Sequence, residues 1–262
     1  MIFVPVLGMH RSGTSCVAGI IQRLGVYLGE PEDMVPSNSL NPKGYNELFV
    51  AVRANDKLLE TVRASWEKPP NLDVRDNWLK KFRGKHSYGK FLLQMSLKYL
   101  QLGAQNMNFK AFGLKDPRLL MTFPLWLDMV PKNVKTKGII VDRPAHAVLK
   151  SWIAAHNLEP GLARRAHVMY MRWLKQNLVR YSFDRITVSY EALLRNPRGE
   201  TLRIAKFLFG NISDTQLASA VAYVDPSLNR PGSKKTKLPE RDKKEDKKKK
   251  KPALKKSPSK KK

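Results

Sequence analysis

The apolar positions of this chain fall into two kinds of run. Ile2 to Leu7 is an unbroken apolar stretch, the pattern of a strand covered on both faces. Thr14 to Leu24, just beyond it, is amphipathic and predicts a helix. Similar short apolar runs predict strands at Ala111 to Lys115, Lys137 to Val141 and Arg185 to Ser189. Helical patterns lie at Tyr45 to Ala64, Lys90 to Leu102, Phe123 to Val130, Ala145 to His156, Leu162 to Tyr181, Pro197 to Phe209 and Asp214 to Tyr223. Between them, Glu30 to Lys43 is a loop rich in Pro, Asn and Gly, and Trp66 to Tyr88 is irregular. Strands alternating with helices imply a parallel sheet with helices on both faces, an α/β fold of three layers.

Composition changes this picture at one end only. Of 262 residues 42% are hydrophobic, enough for one sizeable core. From Ser233 onward, 16 basic side chains face 4 acidic ones, a net of +12 with almost no apolar residue. Such a segment cannot bury enough surface to offset its ordering entropy. The expected organisation is a folded domain over 1–232 and a disordered lysine-rich tail over 233–262. The domain itself keeps 33 basic and 18 acidic side chains, a field that suits a polyanionic ligand, and the tail would bind polyanions non-specifically. The lone Cys16 excludes an intrachain disulfide and leaves no zinc cluster. No run approaches the roughly 18 to 20 apolar residues of a membrane span, and the first strand is not a signal sequence. The expected compartment is cytoplasmic, and nothing calls for a metal.

The candidate chemistry begins at the end of the first strand, in Gly8-Met9-His10-Arg11-Ser12-Gly13-Thr14-Ser15. A strand, a glycine-bearing loop and a helix start make a phosphate cradle, with backbone N–H groups aimed at one anion. A nucleotide triphosphatase loop has lysine where Thr14 stands, to reach the β- and γ-phosphates. Here the cation is Arg11, inside the loop, which suits a compact anionic group better than a magnesium-bound triphosphate. His10 is either a contact to that group or a packing residue. A second strand ends in Arg143-Pro144, with proline at a helix start. Ser151 follows about two helical turns later. Together they could meet a second phosphate, although alone each would pass for an ordinary surface side chain.

Five segments in order resemble the sulfotransferases that use 3′-phosphoadenosine 5′-phosphosulfate (PAPS). The GMHRSGTS loop is similar to their 5′-phosphosulfate loop, and the Arg143-to-Ser151 spacing to their 3′-phosphate motif. Gly113-Leu114-Lys115-Asp116-Pro117-Arg118 is similar to a KDPR segment of one large branch, and Asn41-Pro42-Lys43-Gly44-Tyr45-Asn46-Glu47 to that branch's NP-[KR]-GY-x-E segment. Ile186 to Leu208 resembles the family's last strand, YE-x-L turn and closing helix. The match runs from Met1 to Arg230. It implies a P-loop-type fold and transfer of a sulfonate from PAPS, leaving 3′-phosphoadenosine 5′-phosphate (PAP), to a hydroxyl or amine, with carbohydrate one acceptor class. His10, Arg11, Ser12, Gly13, Thr14, Ser15, Arg143, Ser151 and Arg230 would then bind the nucleotide. Arg11 and Lys115 would stabilise developing charge, and the base would be Glu47, with Glu30 second and Asp116 third. No histidine stands beside Lys115, where another branch places its base. Two other readings remain open: a P-loop small-molecule kinase using ATP, and a non-enzymatic polyanion-binding module.

Overall fold

The computed structural model describes residues 1–83 and 87–228; Arg230 and the lysine-rich tail lie outside the described residues. The elements run β1 (Ile2–Leu7), α1 (Thr14–Arg23), β2 (Val26–Tyr27), α2 (Phe49–Glu60), α3 (Arg75–Arg83), α4 (Tyr88–Asn106), β3 (Ala111–Lys115), α5 (Leu119–Leu127), β4 (Lys135–Asp142), α6 (Ala145–His156), α7 (Pro160–Arg180), β5 (Asp184–Ser189), α8 (Tyr190–Arg195), α9 (Pro197–Phe209) and α10 (Asp214–Ala222). The five strands form one sheet in the order β2-β3-β1-β4-β5, and every pairing is parallel.

The continuous apolar strands follow from two covered faces. Side chains alternate along a strand, so Phe3 and Leu7 of β1, Phe112 and Leu114 of β3 and Ile140 of β4 enter one core, shared with α2, α4, α5 and α7. Val4, Val6, Ile139 and Val141 enter the other, against α1 and α9. Burying each such side chain contributes about 1.5–3 kcal/mol. From β1 the chain builds the sheet toward β3 and β2, then crosses to β4 and β5 on the other side. The carboxyl ends of β1, β3 and β4 therefore meet at a topological switch point, where ligands of open α/β sheets bind.

The structure differs from the sequence reading at several elements. The expected helix from Tyr45 begins only at Phe49, because Asn46 has φ +53° and Leu48 bridges Met34 in extended geometry. The irregular stretch holds α3, whose Trp78, Leu79 and Phe82 are buried. Helix α4 starts two residues early because the Ser87 side chain accepts the Lys90 N–H. Helix α5 starts at Leu119, four residues early, nucleated by Asp116: its carbonyl accepts the Leu119 N–H and its carboxylate the Arg118 N–H. Pro124 is carried inside α5. Besides α3, two further elements were not expected, the two-residue β2 and the helix α8 where a turn was read.

Candidate active site

The loop after β1 is built by left-handed backbone. Arg11 has φ +64° and Gly13 φ +97°; a bulky side chain in that region is a strained position that surrounding structure must hold. The Ser12 N–H and Oγ both bond the Met9 carbonyl, at 3.2 and 2.7 Å, which closes the turn. A Cβ at Gly13 would lie 2.1 Å from the Tyr190 ring, so only glycine fits between the loop and α8. The result is a concave run of N–H groups leading into α1, whose first-turn donors have no partner within the helix.

Above this loop opens a cavity of about 340 Å³. His10, Arg11, Gly13, Thr14 and Ser15 form its floor, Lys115, Glu47 and Arg118 one side, and Arg143, Ser151 and Tyr190 the other. The Arg11 Nε donates to Ser151 Oγ at 3.0 Å and its Nη1 to the Leu40 carbonyl at 3.3 Å. Arg143 Nη1 donates to the Arg11 carbonyl at 2.8 Å, and its guanidinium lies 5.2 Å from the Tyr190 ring centre. Ser151 and Arg143, read as one anion site, thus touch Arg11, read as another. The two form one continuous wall.

Across the cavity, Lys115 Nζ bonds Glu47 Oε1 at 2.5 Å, Ser15 Oγ at 3.1 Å and the Tyr45 carbonyl at 3.2 Å. Lys115 is 3% exposed and Glu47 8%. Burial pushes the Glu47 carboxyl above its usual range, Lys115 pulls it back, and nearby Asp116 pushes the same way as burial. Asp116 itself, 1% exposed, accepts from Asn55 Nδ2 at 2.7 Å, the Arg118 N–H at 2.9 Å and Arg118 Nη1 at 3.0 Å. Asn55 in turn accepts from Thr122 and Trp126. Asp116 is the hub that fixes the β3–α5 turn and does not line the cavity. Glu30 is also outside the lining: its carboxylate accepts from the Tyr27 hydroxyl at 2.9 Å and its N–H bonds Tyr99.

His10 belongs to an aromatic wall that sequence reasoning did not assemble. Its ring stacks on Trp152 at 5.5 Å and 4°, and lies 5.2 Å from Trp66, which meets His156 edge-on at 5.2 Å. The Tyr170 hydroxyl donates its one proton to the Trp66 carbonyl at 2.8 Å, so at the 3.2 Å contact His10 Nε2 must be the donor. That fixes the neutral tautomer with Nδ1 bare. Burial, then the charges of Arg118 and Lys115, keep His10 neutral well below the usual 6.5. Trp66 opens the stretch expected to be irregular, and its partners come from the β1 loop, α6 and α7.

Burial also pushes the Cys16 thiol up to about 11, leaving it unreactive at neutral pH. Among the described residues, no group of three or more His, Cys, Asp or Glu side chains could hold a metal, and no helix is long and apolar enough to cross a membrane.

No family model matches the sequence, and no curated protein does. Solved structures do match in shape. The sulfotransferase domain from the olefin synthase of Synechococcus PCC 7002 aligns over 87% of this chain and 86% of its own, with a TM-score of 0.53 at 18% identity. The sulfotransferase STF1 from Mycobacterium tuberculosis H37Rv aligns over 84% of this chain and 70% of its own, with a TM-score of 0.54 at 15% identity. The chain has the sulfotransferase fold.

Proposed function

We propose that the chain is a sulfotransferase that moves a sulfonate from PAPS to a hydroxyl or amine. The observation that carries this reading is the convergence of Arg11, Lys115 and Glu47 on one cavity at the switch point of the sheet. The residues present fit an anionic nucleotide donor: a loop turned by left-handed backbone at Arg11 and Gly13, leading into the first turn of α1, and the cations Arg11, Arg143 and Lys115 around it. The fold likeness to sulfotransferases supports the same choice.

When bound, the donor would supply the sulfonate and the leaving 5′-phosphate. Arg11 and the N–H groups entering α1 would hold its 5′ anionic group, with Ser12, Gly13, Thr14 and Ser15 shaping the loop. Arg143 and Ser151 would hold the 3′-phosphate. Lys115, fixed by three bonds, would counter charge developing on the leaving oxygen without reorganising. Glu47, whose carboxyl burial raises, would take the proton of the attacking group. No metal is needed for this, since fixed cations and N–H dipoles do the stabilising.

The test is selective protection against heat. PAP should raise the melting temperature well above the effect of ATP or ADP with magnesium, and EDTA should not remove it. Arg143→Ala should erase most of the preference for PAP over 5′-AMP, whereas Arg11→Ala should weaken both. Equal protection by ATP with magnesium would favour the kinase reading, for which Thr14 stands where a lysine is required. Transfer of label from radiolabelled PAPS to cell-extract components would then identify the acceptor.

A further inference from the structure

Helix α4 carries an apolar stripe that the active site does not use. Its inner face, including Leu93, Leu97 and Leu100, is buried. Yet Tyr88 is 53% exposed, Phe91 54%, Met95 46% and Leu102 45%. At 3.6 residues per turn these four side chains fall within about 60° of arc, on a line about 21 Å long. Scattered exposed apolar residues are normal, but four large ones on one helix face, with Tyr88, Phe91 and Met95 on successive turns, mark an interaction surface. Among the described residues nothing covers it.

The edges of the stripe say what does. Lys98 lies about 50° to one side of its centre and Tyr99 about 50° to the other. The Tyr99 hydroxyl donates to Asp33 Oδ2 at 2.5 Å, so an exposed carboxylate stands beside the stripe at the same height as the exposed ammonium of Lys98. Glu32 extends the acidic edge, and Phe49, 52% exposed, continues the apolar surface along the groove it shares with Asp33 and Tyr99. One edge is basic and the other acidic. Two helices packed face to face about an axis parallel to both bring opposite edges together, as in parallel coiled coils.

We propose that this face of α4 binds a second copy of the chain, with the two α4 helices parallel, Phe91 and Met95 at the centre, and Lys98 of each copy beside Asp33 of the other. An anionic membrane would meet the Glu32 and Asp33 edge with repulsion, which disfavours it as the occupant. The net charge of +27 opposes association at long range, but at physiological salt fields decay within about 8 Å, so contact pairs outlast the general repulsion.

The experiment is sedimentation of the full chain across a wide concentration range, in physiological salt. The mass should rise from one chain to two, and Phe91→Glu/Met95→Glu should weaken the dimer by about tenfold or more without lowering the melting temperature of the chain at concentrations where it is monomeric, because both side chains are exposed there. Lys98→Glu alone and Asp33→Lys alone should each weaken it, and mixing the two single variants should restore a heterodimer, since both cross pairs are then opposite in charge. A chain that stays monomeric at every concentration overturns the proposal. So does a dimer indifferent to Phe91→Glu/Met95→Glu, a mixture that fails to re-associate, or a monomer that binds phosphatidylserine vesicles through this stripe.

Discussion

Replacing Lys115 with methionine removes the only cation bonded to Glu47 among the described residues, and the cost can be worked from the site. Glu47 is 8% exposed and cannot keep its charge unpaired, so it takes up a proton. Protonating a carboxyl of ordinary value 4.5 costs about 1.4 kcal/mol per pH unit above that value. The charge-related penalty is therefore bounded at about 3 kcal/mol at pH 7 and at less than about 1 kcal/mol at pH 5. The lost bonds to Ser15 and Tyr45 add about 0.5–1.5 kcal/mol each at any pH. The sign follows from linkage: a carboxyl raised in the folded state binds its proton more tightly there, so stability rises as pH falls from the folded value toward 4.5. At pH 7 the melting temperature of Lys115→Met should fall on the order of 10–20 °C. Urea melts of wild type and variant at both pH values measure the difference. It should shrink by up to about 2–3 kcal/mol between pH 7 and pH 5, and in Lys115→Met/Glu47→Gln that pH-dependent part should vanish. A Lys115→Met penalty equal at the two pH values would refute the reasoning.

Glu47→Gln should lower kcat by about 10²–10⁴ while PAP affinity, read by calorimetry, changes little; normal turnover would move the base elsewhere. Gly13→Ala should cost about 2–4 kcal/mol, from its φ of +97° and the Cβ placed 2.1 Å from Tyr190, and calorimetry should find the heat of PAP binding lost. His10 is neutral in the fold and its value is lowered below 6.5, so its contribution to stability is present above pH 6.5 and is lost as pH falls below it. His10→Gln should flatten that acid limb in melts across the range, whereas Glu47→Gln should steepen it, because the Glu47 term has the opposite sign.

The central strands were legible because each buries both faces, which leaves no polar alternation to confuse with a helix. Their ends also placed Arg11, Lys115 and Arg143 at one sheet edge. What the sequence could not convey were contacts that set boundaries from a distance. The bridge from Leu48 to Met34 holds Tyr45 to Leu48 out of the following helix, and β2 is two residues that exist only by pairing with β3. Glu47 stood ahead of Glu30 as the base only through the resemblance of its GY-x-E segment. Only the fold turns one toward Lys115, 68 residues away, and ties the other to Tyr27 and Tyr99. The aromatic wall needs a loop, α6 and α7 together, so no local pattern could assemble it.

Charge pairing sorts the cations of the cavity further. Lys115 is matched by Glu47, and Arg118 by Asp116 and Asp56. Arg11 makes no ion pair among the described residues; it rests on a hydroxyl and a carbonyl oxygen, and burial lowers its value from the usual 12.5. The same residue carries the left-handed backbone of the loop. A strained backbone and an unneutralised, half-buried guanidinium at one position both cost free energy in the unliganded fold. An anion seated in the loop offsets the second of these costs directly. Arg11 is therefore where a bound anion gains most, and loss of its side chain should weaken every anionic ligand of the cavity, whatever the rest of that ligand contains.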